Sequence, residues 1–270
     1  MKYFFIMLFS LVNSFKFLNL NRINKFKTNL KYSLNTNIDN DYDPNDFINK
    51  KMISVSPAGL RGFYSLGVCK FIKDNYNLSD YVFTGASAGA WNSLYLSSKV
   101  DSNRFINSLF NIDYTNATSI LEIEYLIKNK LLEDYNDNDF ELDKIYLGVT
   151  TIMNFRPKTY VYGEFDSLHD AIDCCIASSH IPFITGGLFN KYKNRITFDG
   201  GFSKNPYLDI LKPIIHITPG IWSNKTEDCT DISLNIAMNI MDKDLDFLKL
   251  YKQGYQDSLD NKKKLDSIFL

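Results

Sequence analysis

A serine stands between two glycines at residues 85–89 of this 270-residue chain, in the sequence G-A-S-A-G. The segment follows an apolar, strand-like run at 81–84 and precedes a helix-like run. A serine with this spacing between a strand and a helix is typical of a nucleophile elbow. The turn of an elbow is so tight that side chains at the flanking positions would collide, which explains Gly85 and Gly89. Ser87 is therefore predicted to expose its hydroxyl group at the apex, above the positive end of the helix.

A serine hydroxyl is a poor nucleophile unless donors stabilise the oxyanion that forms when it attacks a carbonyl group. Residues 57–62, P-A-G-L-R-G, follow a strand-like run at 52–55 and precede a helix-like run. Their amides are predicted to converge at the carboxyl edge of the sheet beside Ser87, with the amide of Ala88 as a second donor. A dinucleotide-binding turn is the competing interpretation, but proline and alanine stand where that fingerprint needs glycines.

The serine also needs a base, and the sequence offers two arrangements. A dyad would use Asp199, which is followed by two glycines that let the backbone turn sharply at the end of a strand. An isolated Asp-Gly-Gly is usually only a turn, but its position after the loop at 57–62 and the elbow favours the dyad. A Ser-His-Asp triad would instead use one of the histidines, which are His169, His180 and His216.

The elements that must position these residues alternate between strands and helices. Strand-like runs cover 52–55, 81–84, 145–153, 159–162, 195–198 and 214–218, with a hairpin expected around 156–157. Helical spacing of apolar residues marks 63–72, the elbow helix, 120–127, 168–176 and a segment from 231 onward. This alternation predicts an α/β fold, a three-layer α/β/α sandwich with a mostly parallel central sheet.

The composition is that of a globular protein with one sizeable core, since 45% of the residues are hydrophobic and 23% are charged. Four cysteines give no disulfide framework at this length. The formal net charge is −1, but residues 1–38 contain six Lys or Arg and no acidic residue, so the remainder sums to −7 (24 basic against 31 acidic). No nucleic-acid partner is expected, because such partners require a basic domain. No metal-ligand pattern is present, so the sequence predicts neither a metal nor a cofactor.

Residues 1–46 are predicted to be a targeting segment and linker, and residues 47–270 the folded domain. Lys2 precedes the mostly apolar residues 3–12, which is the layout of a secretory signal peptide too short to span a bilayer. The acid-free stretch that begins at Phe15 resembles the second part of the presequences used by algal complex plastids. The sequence therefore predicts entry to the secretory pathway, and the resemblance adds a plastid as one candidate final compartment. A short membrane-binding or disordered arm is the alternative.

The three motifs, in this order, resemble those of the patatin-like phospholipases, whose members carry G-G-G-x-R/K-G, then G-x-S-x-G, then D-G-G or D-G-A. Residues 177–183, A-S-S-H-I-P-F, resemble the A-S-x-x-I-P-F segment that precedes D-G-G in this family. Residues 250–258 resemble a G-Y-x-D-A/S helix of animal-type members, the branch that contains triglyceride lipases. The resemblance extends over residues 51–258 and implies a patatin-like fold.

The resemblance implies a Ser–Asp dyad without a catalytic histidine, in which Ser87 is the nucleophile and Asp199 the base. It implies a lipid acyl hydrolase that cleaves carboxylic esters of phospholipids or acylglycerols through an acyl-enzyme, peripherally associated with a membrane or lipid-droplet surface. Arg61 is a candidate contact for a lipid phosphate or an anchor to a surface carboxylate. The glycines of the Asp-Gly-Gly motif are Gly200 and Gly201. The predicted oxyanion-hole residues are Ala58, Gly59, Leu60, Gly62 and Ala88.

The sequence departs from the family at Pro57 and Ala58, which replace its first two glycines. Because proline has no N–H group to donate, the oxyanion hole must be formed by later amides. Because of this departure, a catalytically weak or inactive lipid-binding protein on the same fold is an alternative interpretation. A Ser-His-Asp α/β-hydrolase is the other alternative, although His216, the one histidine after Asp199, lies within a strand-like run.

Overall fold

Short apolar runs bounded by turn residues form the strands of the protein, and longer amphipathic runs form its helices. The computed structural model describes residues 47–153, 156–202, 210–222 and 246–270, all within one unit that spans Asp39–Leu270. The predicted targeting segment and linker, residues 1–46, lie outside the described residues, so their boundary with the folded domain remains a prediction.

The strands of the described residues form one mixed sheet. They are β1 (Lys51–Val55), β2 (Tyr81–Gly85), β3 (Ile145–Met153), β4 (Arg156–Tyr162), β5 (Asn190–Tyr192), β6 (Arg195–Phe198) and β7 (Ile215–Ile217). The order is β5-β6-β3-β2-β1-β7, and β4 pairs with β3 off this path. Neighbours from β3 to β7 along this path are parallel, whereas β4, β5 and β6 pair in the antiparallel sense. The β3–β4 pair confirms the predicted hairpin, and β5 was not predicted.

Helices cover both faces of the sheet, which confirms the predicted α/β sandwich. They are α1 (Gly62–Asn75), α2 (Ala88–Ser97), α3 (Ser102–Phe110), α4 (Ile120–Asp134), α5 (Leu168–Ser178), α6 (Phe247–Asp260) and α7 (Lys262–Phe269). The sequence predicted all of them except α3, whose N-cap Asp101 accepts a hydrogen bond from the backbone of Arg104. Residues 231–245 of the predicted C-terminal helix lie outside the described part. No helix within that part is long and apolar enough to cross a bilayer.

The long strand β3 brings two strand ends together. β4 pairs with β3 along residues 147–153, a range that overlaps the pairings of both β2 and β6. Since one edge of a strand holds one partner at a time, β2 and β6 must share the other edge of β3. They run in opposite directions along it, because β2 is parallel and β6 antiparallel to β3. The segments that follow Gly85 and Phe198 therefore meet beside Gly148.

Helix α1, which follows the predicted oxyanion loop, is held by direct backbone contact with α6. A Cβ atom on Gly67 would lie 2.1 Å from the carbonyl oxygen of Tyr251, and one on Gly254 would lie 2.0 Å from that of Tyr64. The hydroxyl of Tyr64 also donates to Asp257 Oδ2 at 2.6 Å. The segment of α6 that resembles the G-Y-x-D-A/S helix therefore makes these contacts between α6 and α1.

We expect Gly254→Ala to lower the free energy of unfolding by about 2 kcal/mol or more, because the new methyl group must displace the backbone of α1. Urea unfolding followed by circular dichroism measures the change. Gly187→Ala is the matched control, since no heavy atom lies within 4 Å of its added Cβ. Equal stability of the two variants would contradict the close packing of α1 on α6.

Candidate active site

The backbone at Ser87 adopts a strained turn between β2 and α2. Its φ of 54° and ψ of −129° lie in a region that residues with a side chain rarely occupy. A Cβ on Gly85 would lie 2.3 Å from the carbonyl oxygen of Gly89, and one on Gly89 would lie 2.1 Å from that of Val55. Both flanking glycines are therefore required by sterics, and together they form the elbow that presents Ser87.

A second serine holds the elbow against β3. The N–H group of Ser87 donates to Ser178 Oγ at 2.8 Å, and Ser178 Oγ donates to the carbonyl oxygen of Gly148 at 2.7 Å. The Ser178 side chain is fully buried, so no water competes for these bonds. The sequence did not predict this role, although Ser178 lies in the segment at 177–183 that resembles the family.

Asp199 lies directly after β6 and faces the elbow. Its N–H group donates to the carbonyl oxygen of His180 at 2.7 Å, and its Oδ1 accepts from the N–H of Gly201 at 2.7 Å. The Ser87 side chain lies close enough to this carboxylate to lower its pKa. A Cβ on Gly200 would lie 2.1 Å from the carbonyl oxygen of Gly148, so only glycine allows this close turn. The structure thus brings Ser87 and Asp199 together, and the two residues are 6% and 5% exposed, respectively.

Burial sets the proton affinity of the Asp199 carboxylate. Removal from water raises the pKa of Asp199 to about 6, and hydrogen bonds from Ser87 and Gly201 oppose part of this rise. The carboxylate is consequently a stronger base than a solvated aspartate, yet it remains mostly ionised at pH 7. Both properties suit a group that must accept a proton from a serine hydroxyl.

The predicted oxyanion loop packs directly on the elbow and on the Asp199 turn. Residues Gly59–Arg61 form a 3-10 turn in which Gly59 has a φ of 52°, a conformation that favours glycine. A Cβ on Gly62 would lie 2.5 Å from that of Ala88, so the start of α1 lies against the start of α2. A Cβ on Gly201 would lie 3.2 Å from the ring of Pro57.

The free amides of this loop lie near its start. Gly62 differs from the prediction, because its N–H group already donates to the carbonyl oxygens of Gly59 and Leu60 within the turn. The N–H of Arg61 likewise donates to Ala58. The loop can therefore supply oxyanion donors only from its earlier amides, together with that of α2. At the start of the loop and of α2, the N–H groups of Ala58, Gly59, Leu60 and Ala88 donate no hydrogen bond to another described residue.

The side chain of Arg61 is exposed at the surface. It forms no ion pair with a carboxylate of the described residues, so the predicted surface anchor is not observed there. The guanidinium group is therefore available to an anionic ligand beside the loop.

No imidazole ring of the described residues interacts with the Asp199 carboxylate. His180 contacts Asp199 only through its backbone carbonyl group, and burial lowers the pKa of its ring. His169 is exposed and lies 3.2 Å from Asp173, on the same helix. His216 lies in β7, where burial also lowers its pKa.

The fold and the elbow define an α/β protein that presents a serine at the carboxyl edge of its sheet. A model of the patatin-like phospholipase family matches residues 53–212, which is more than half of the chain. The chain belongs to this family, whose general activity is lipid acyl hydrolysis. A search of the curated proteins found no match.

We expect Asp199→Asn to raise the free energy of unfolding by about 2–3 kcal/mol at pH 7.5, since one pKa unit corresponds to about 1.4 kcal/mol. The pKa of Asp199, about 6 in the folded state, exceeds its unfolded value. The folded state therefore holds the Asp199 proton more tightly than the unfolded state does. The free energy of unfolding is at its full value below the unfolded pKa and falls as the pH rises through the folded pKa.

Urea unfolding at pH 7.5 and near pH 4 measures this difference, which should become much smaller at the lower pH. Asp166→Asn, at an exposed aspartate, is the control and should change stability at neither pH. A gain for Asp199→Asn that is equal at both pH values would exclude ionisation as its cause.

Proposed function

We propose that this protein hydrolyses carboxylic esters of phospholipids or acylglycerols through a Ser87–Asp199 dyad and an acyl-enzyme. The observation that carries the proposal is the closeness of the Ser87 side chain to the Asp199 carboxylate, both of which are buried. The unoccupied amides of the oxyanion loop support it, because they lie against the start of α2. Pro57 does not remove these amides, so the departure from the family leaves the hole with donors.

In the first step, Ser87 Oγ bonds to the ester carbonyl carbon while Asp199 accepts the hydroxyl proton. The carbonyl oxygen becomes an oxyanion, which the amides of Ala58, Gly59, Leu60 and Ala88 are positioned to stabilise. The bond to the alcohol oxygen then breaks, and Asp199 returns the proton to the leaving alcohol. The product of this step is an acyl-enzyme at Ser87.

In the second step, a water molecule attacks the acyl carbon while Asp199 accepts a proton from it. A second oxyanion forms in the same place, and the bond to Ser87 Oγ breaks. Asp199 returns its proton to Ser87, and the free fatty acid leaves. Asp199 therefore acts as base and acid in turn, a role that a pKa of about 6 supports near neutral pH.

A cluster of exposed apolar side chains beside Asp199 supports action at a lipid surface. We call this cluster the apolar rim; it comprises Phe183, Leu188, Phe189 and Phe202, which are 53%, 46%, 55% and 48% exposed. The N–H of Phe202 donates to the carbonyl oxygen of Asp199. The Phe189 ring lies 6.4 Å from that of Phe198, the residue before Asp199. Exposed apolar groups clustered around a site are typical of interaction surfaces, so we propose that the rim enters a membrane or lipid droplet.

The localisation proposal rests on residues 1–46, which lie outside the described residues. The basic, acid-free composition of residues 1–38 supports entry to the secretory pathway, and a plastid is the proposed destination beyond it. In either compartment the protein would act as a peripheral membrane protein through the apolar rim.

We expect Ser87→Ala and Asp199→Asn each to lower ester hydrolysis by about 10³-fold or more, because each removes one partner of the proton transfer. Hydrolysis of lipid and short-chain esters measures the loss, and a fluorophosphonate probe should label Ser87 of the wild type. His169→Ala, at an exposed residue, should keep full activity.

Two results would overturn this mechanism. Loss of activity in folded His180→Ala or His216→Ala protein would favour a triad. Failure of the probe to label folded wild-type protein would favour a lipid-binding protein without catalysis.

We expect Phe183→Asn with Phe189→Ser to lower hydrolysis of phosphatidylcholine vesicles by about ten- to thirtyfold, because about 1 kcal/mol of apolar transfer is lost at each half-exposed ring. Hydrolysis of a soluble short-chain ester should not change. Asparagine is chosen because Phe183 has a positive φ of 64°, which asparagine adopts readily.

The control is Leu259→Ser, at a residue of α6 that is 48% exposed. This variant should hydrolyse both substrates at the wild-type rate. An equal loss on vesicles and on the soluble ester would show that the rim shapes the site and does not bind the lipid surface.

A further inference from the structure

A hairpin beside the apolar rim carries an excess of positive charge. We call it the basic hairpin; it comprises β5, β6 and the turn between them, residues 190–198. It contains Lys191, Lys193 and Arg195 and no acidic residue. Residues 39–270 as a whole carry a net charge of −7 (24 basic against 31 acidic). The composition of the domain therefore does not account for the positive charge of the hairpin.

The turn of the basic hairpin holds a lysine where the backbone favours other residues. Tyr192 pairs with Arg195, so two residues connect β5 to β6. These are Lys193 and Asn194, whose φ angles are 43° and 62°. Two-residue turns with a positive φ at both positions favour asparagine, aspartate or glycine, and a lysine rarely adopts this conformation. The geometry of the turn therefore does not explain the choice of lysine.

Aromatic rings hold the cations of this region together. The guanidinium carbon of Arg195 lies 4.1 Å from the centroid of the Tyr160 ring, and Lys158 Nζ of β4 lies 4.9 Å from the same centroid. Lys193 Nζ lies 5.8 Å from the centroid of the Tyr162 ring. Attraction between cations and ring faces offsets part of the repulsion between like charges. Three positive side chains can therefore lie close together on β4 and the basic hairpin.

A carboxylate of α5 offsets part of this charge. Asp170 Oδ2 lies 3.8 Å from Lys193 Nζ. The Lys193 side chain is nevertheless 36% exposed, and Lys191 is exposed in β5, which ends the strand order of the sheet. Because one carboxylate balances only one cation, the basic hairpin and Lys158 together present a positive surface to the solvent.

This positive surface is continuous with the apolar rim. Lys191 pairs directly with Ile196, so both side chains lie on one face of the hairpin, where Ile196 is 38% exposed. Phe198 lies two residues further along β6 and therefore on the same face. Its ring packs against that of Phe189 in the rim, at 6.4 Å between centroids. One face of the hairpin thus carries a cation and a row of apolar side chains that leads to the rim.

We propose that the basic hairpin binds the anionic surface of a lipid bilayer and so directs the apolar rim to membranes that contain acidic lipids. Charge complementarity identifies the partner, because cations near a bilayer attract anionic head groups. A bilayer also takes up the apolar face that adjoins the cations, whereas a soluble anion would leave that face in water. This inference rests on the proposed function, because it specifies the lipid surface on which the site acts.

Binding to vesicles tests the inference without depending on catalysis. The full-length Ser87→Ala protein is the parent, so that no lipid is hydrolysed, and sedimentation with vesicles measures the Kd. One set of vesicles is phosphatidylcholine, and the other contains about three parts phosphatidylcholine to one part anionic phosphatidylglycerol. The parent should bind the anionic vesicles more tightly, and this preference should shrink as salt is added, because salt screens the attraction.

Lys191→Gln with Lys193→Asn removes two charges from the hairpin, and asparagine readily adopts the positive φ of residue 193. Affinity for the anionic vesicles should fall by about twentyfold, since each basic residue near such a surface contributes about fivefold. Affinity for phosphatidylcholine vesicles should not change. Lys191→Arg with Lys193→Arg keeps both charges and should bind as the parent does. If the first variant does not fold, Lys158→Gln with Lys193→Asn replaces it and should show the same loss.

Lys51→Gln with Lys263→Gln is the matched control, because it removes the same net charge at the opposite edge of the sheet. Lys51 begins β1 and lies 5.6 Å from the centroid of the Tyr81 ring. Lys263 is exposed in α7, whose Phe269 ring lies 5.7 Å from that of Tyr81. The control should bind both kinds of vesicle as the parent does. Residues 1–46 are common to every protein compared, so their charge cancels in the comparison.

Three results would overturn the inference. They are equal losses in the hairpin variant and the control, unchanged binding of the folded hairpin variant to anionic vesicles, and an equal loss on both kinds of vesicle. Fluorophosphonate labelling of the wild type separates the inference from the mechanism. Hairpin-dependent binding without labelling would overturn the Ser–Asp mechanism and leave the binding surface established.

Discussion

Strands β2 and β6 run towards each other along one edge of β3. The pairing of β2 ends at Leu147 and that of β6 ends at Thr150, so only Gly148 and Val149 of β3 lie between them. The elbow and the Asp199 turn must therefore share the space around the Gly148 carbonyl group. Gly200 approaches that carbonyl with no room for a side chain, and the Ser178 hydroxyl donates to it. The closeness of Ser87 and Asp199 thus follows from the register of the sheet.

Two acidic side chains are buried close to each other at the site. Asp199 and Glu124 are both buried, and no lysine or arginine of the described residues neutralises either of them. Burial raises the pKa of both carboxyl groups, because removal from water disfavours their charged forms. Burial makes Asp199 a stronger base than a solvated aspartate. The same burial lowers stability near neutral pH, a cost that is often found at functional sites.

The motifs could be predicted from the sequence because their requirements are local. An elbow needs glycines beside its serine, and Gly85 and Gly89 are excluded from carrying side chains by their immediate neighbours. The antiparallel approach of β6, which brings Asp199 to the elbow, depends on pairing with distant β3 and is not encoded in any short pattern. The same holds for Glu124, whose burial depends on α5. Gly62 was predicted as a donor because the motif does not reveal that a 3-10 turn uses its N–H group.

The contact between α1 and α6 joins parts of the chain that are far apart, as Tyr64 and Asp257 are separated by 193 residues. At a synthesis rate of ~5–20 residues per second, α1 leaves the ribosome roughly 10–40 s before α6 is complete. During that interval the groove at Gly67 is open, and the helix behind the oxyanion loop lacks its partner. The packing of α1 against α6 can therefore form only after nearly all of the domain has been synthesised.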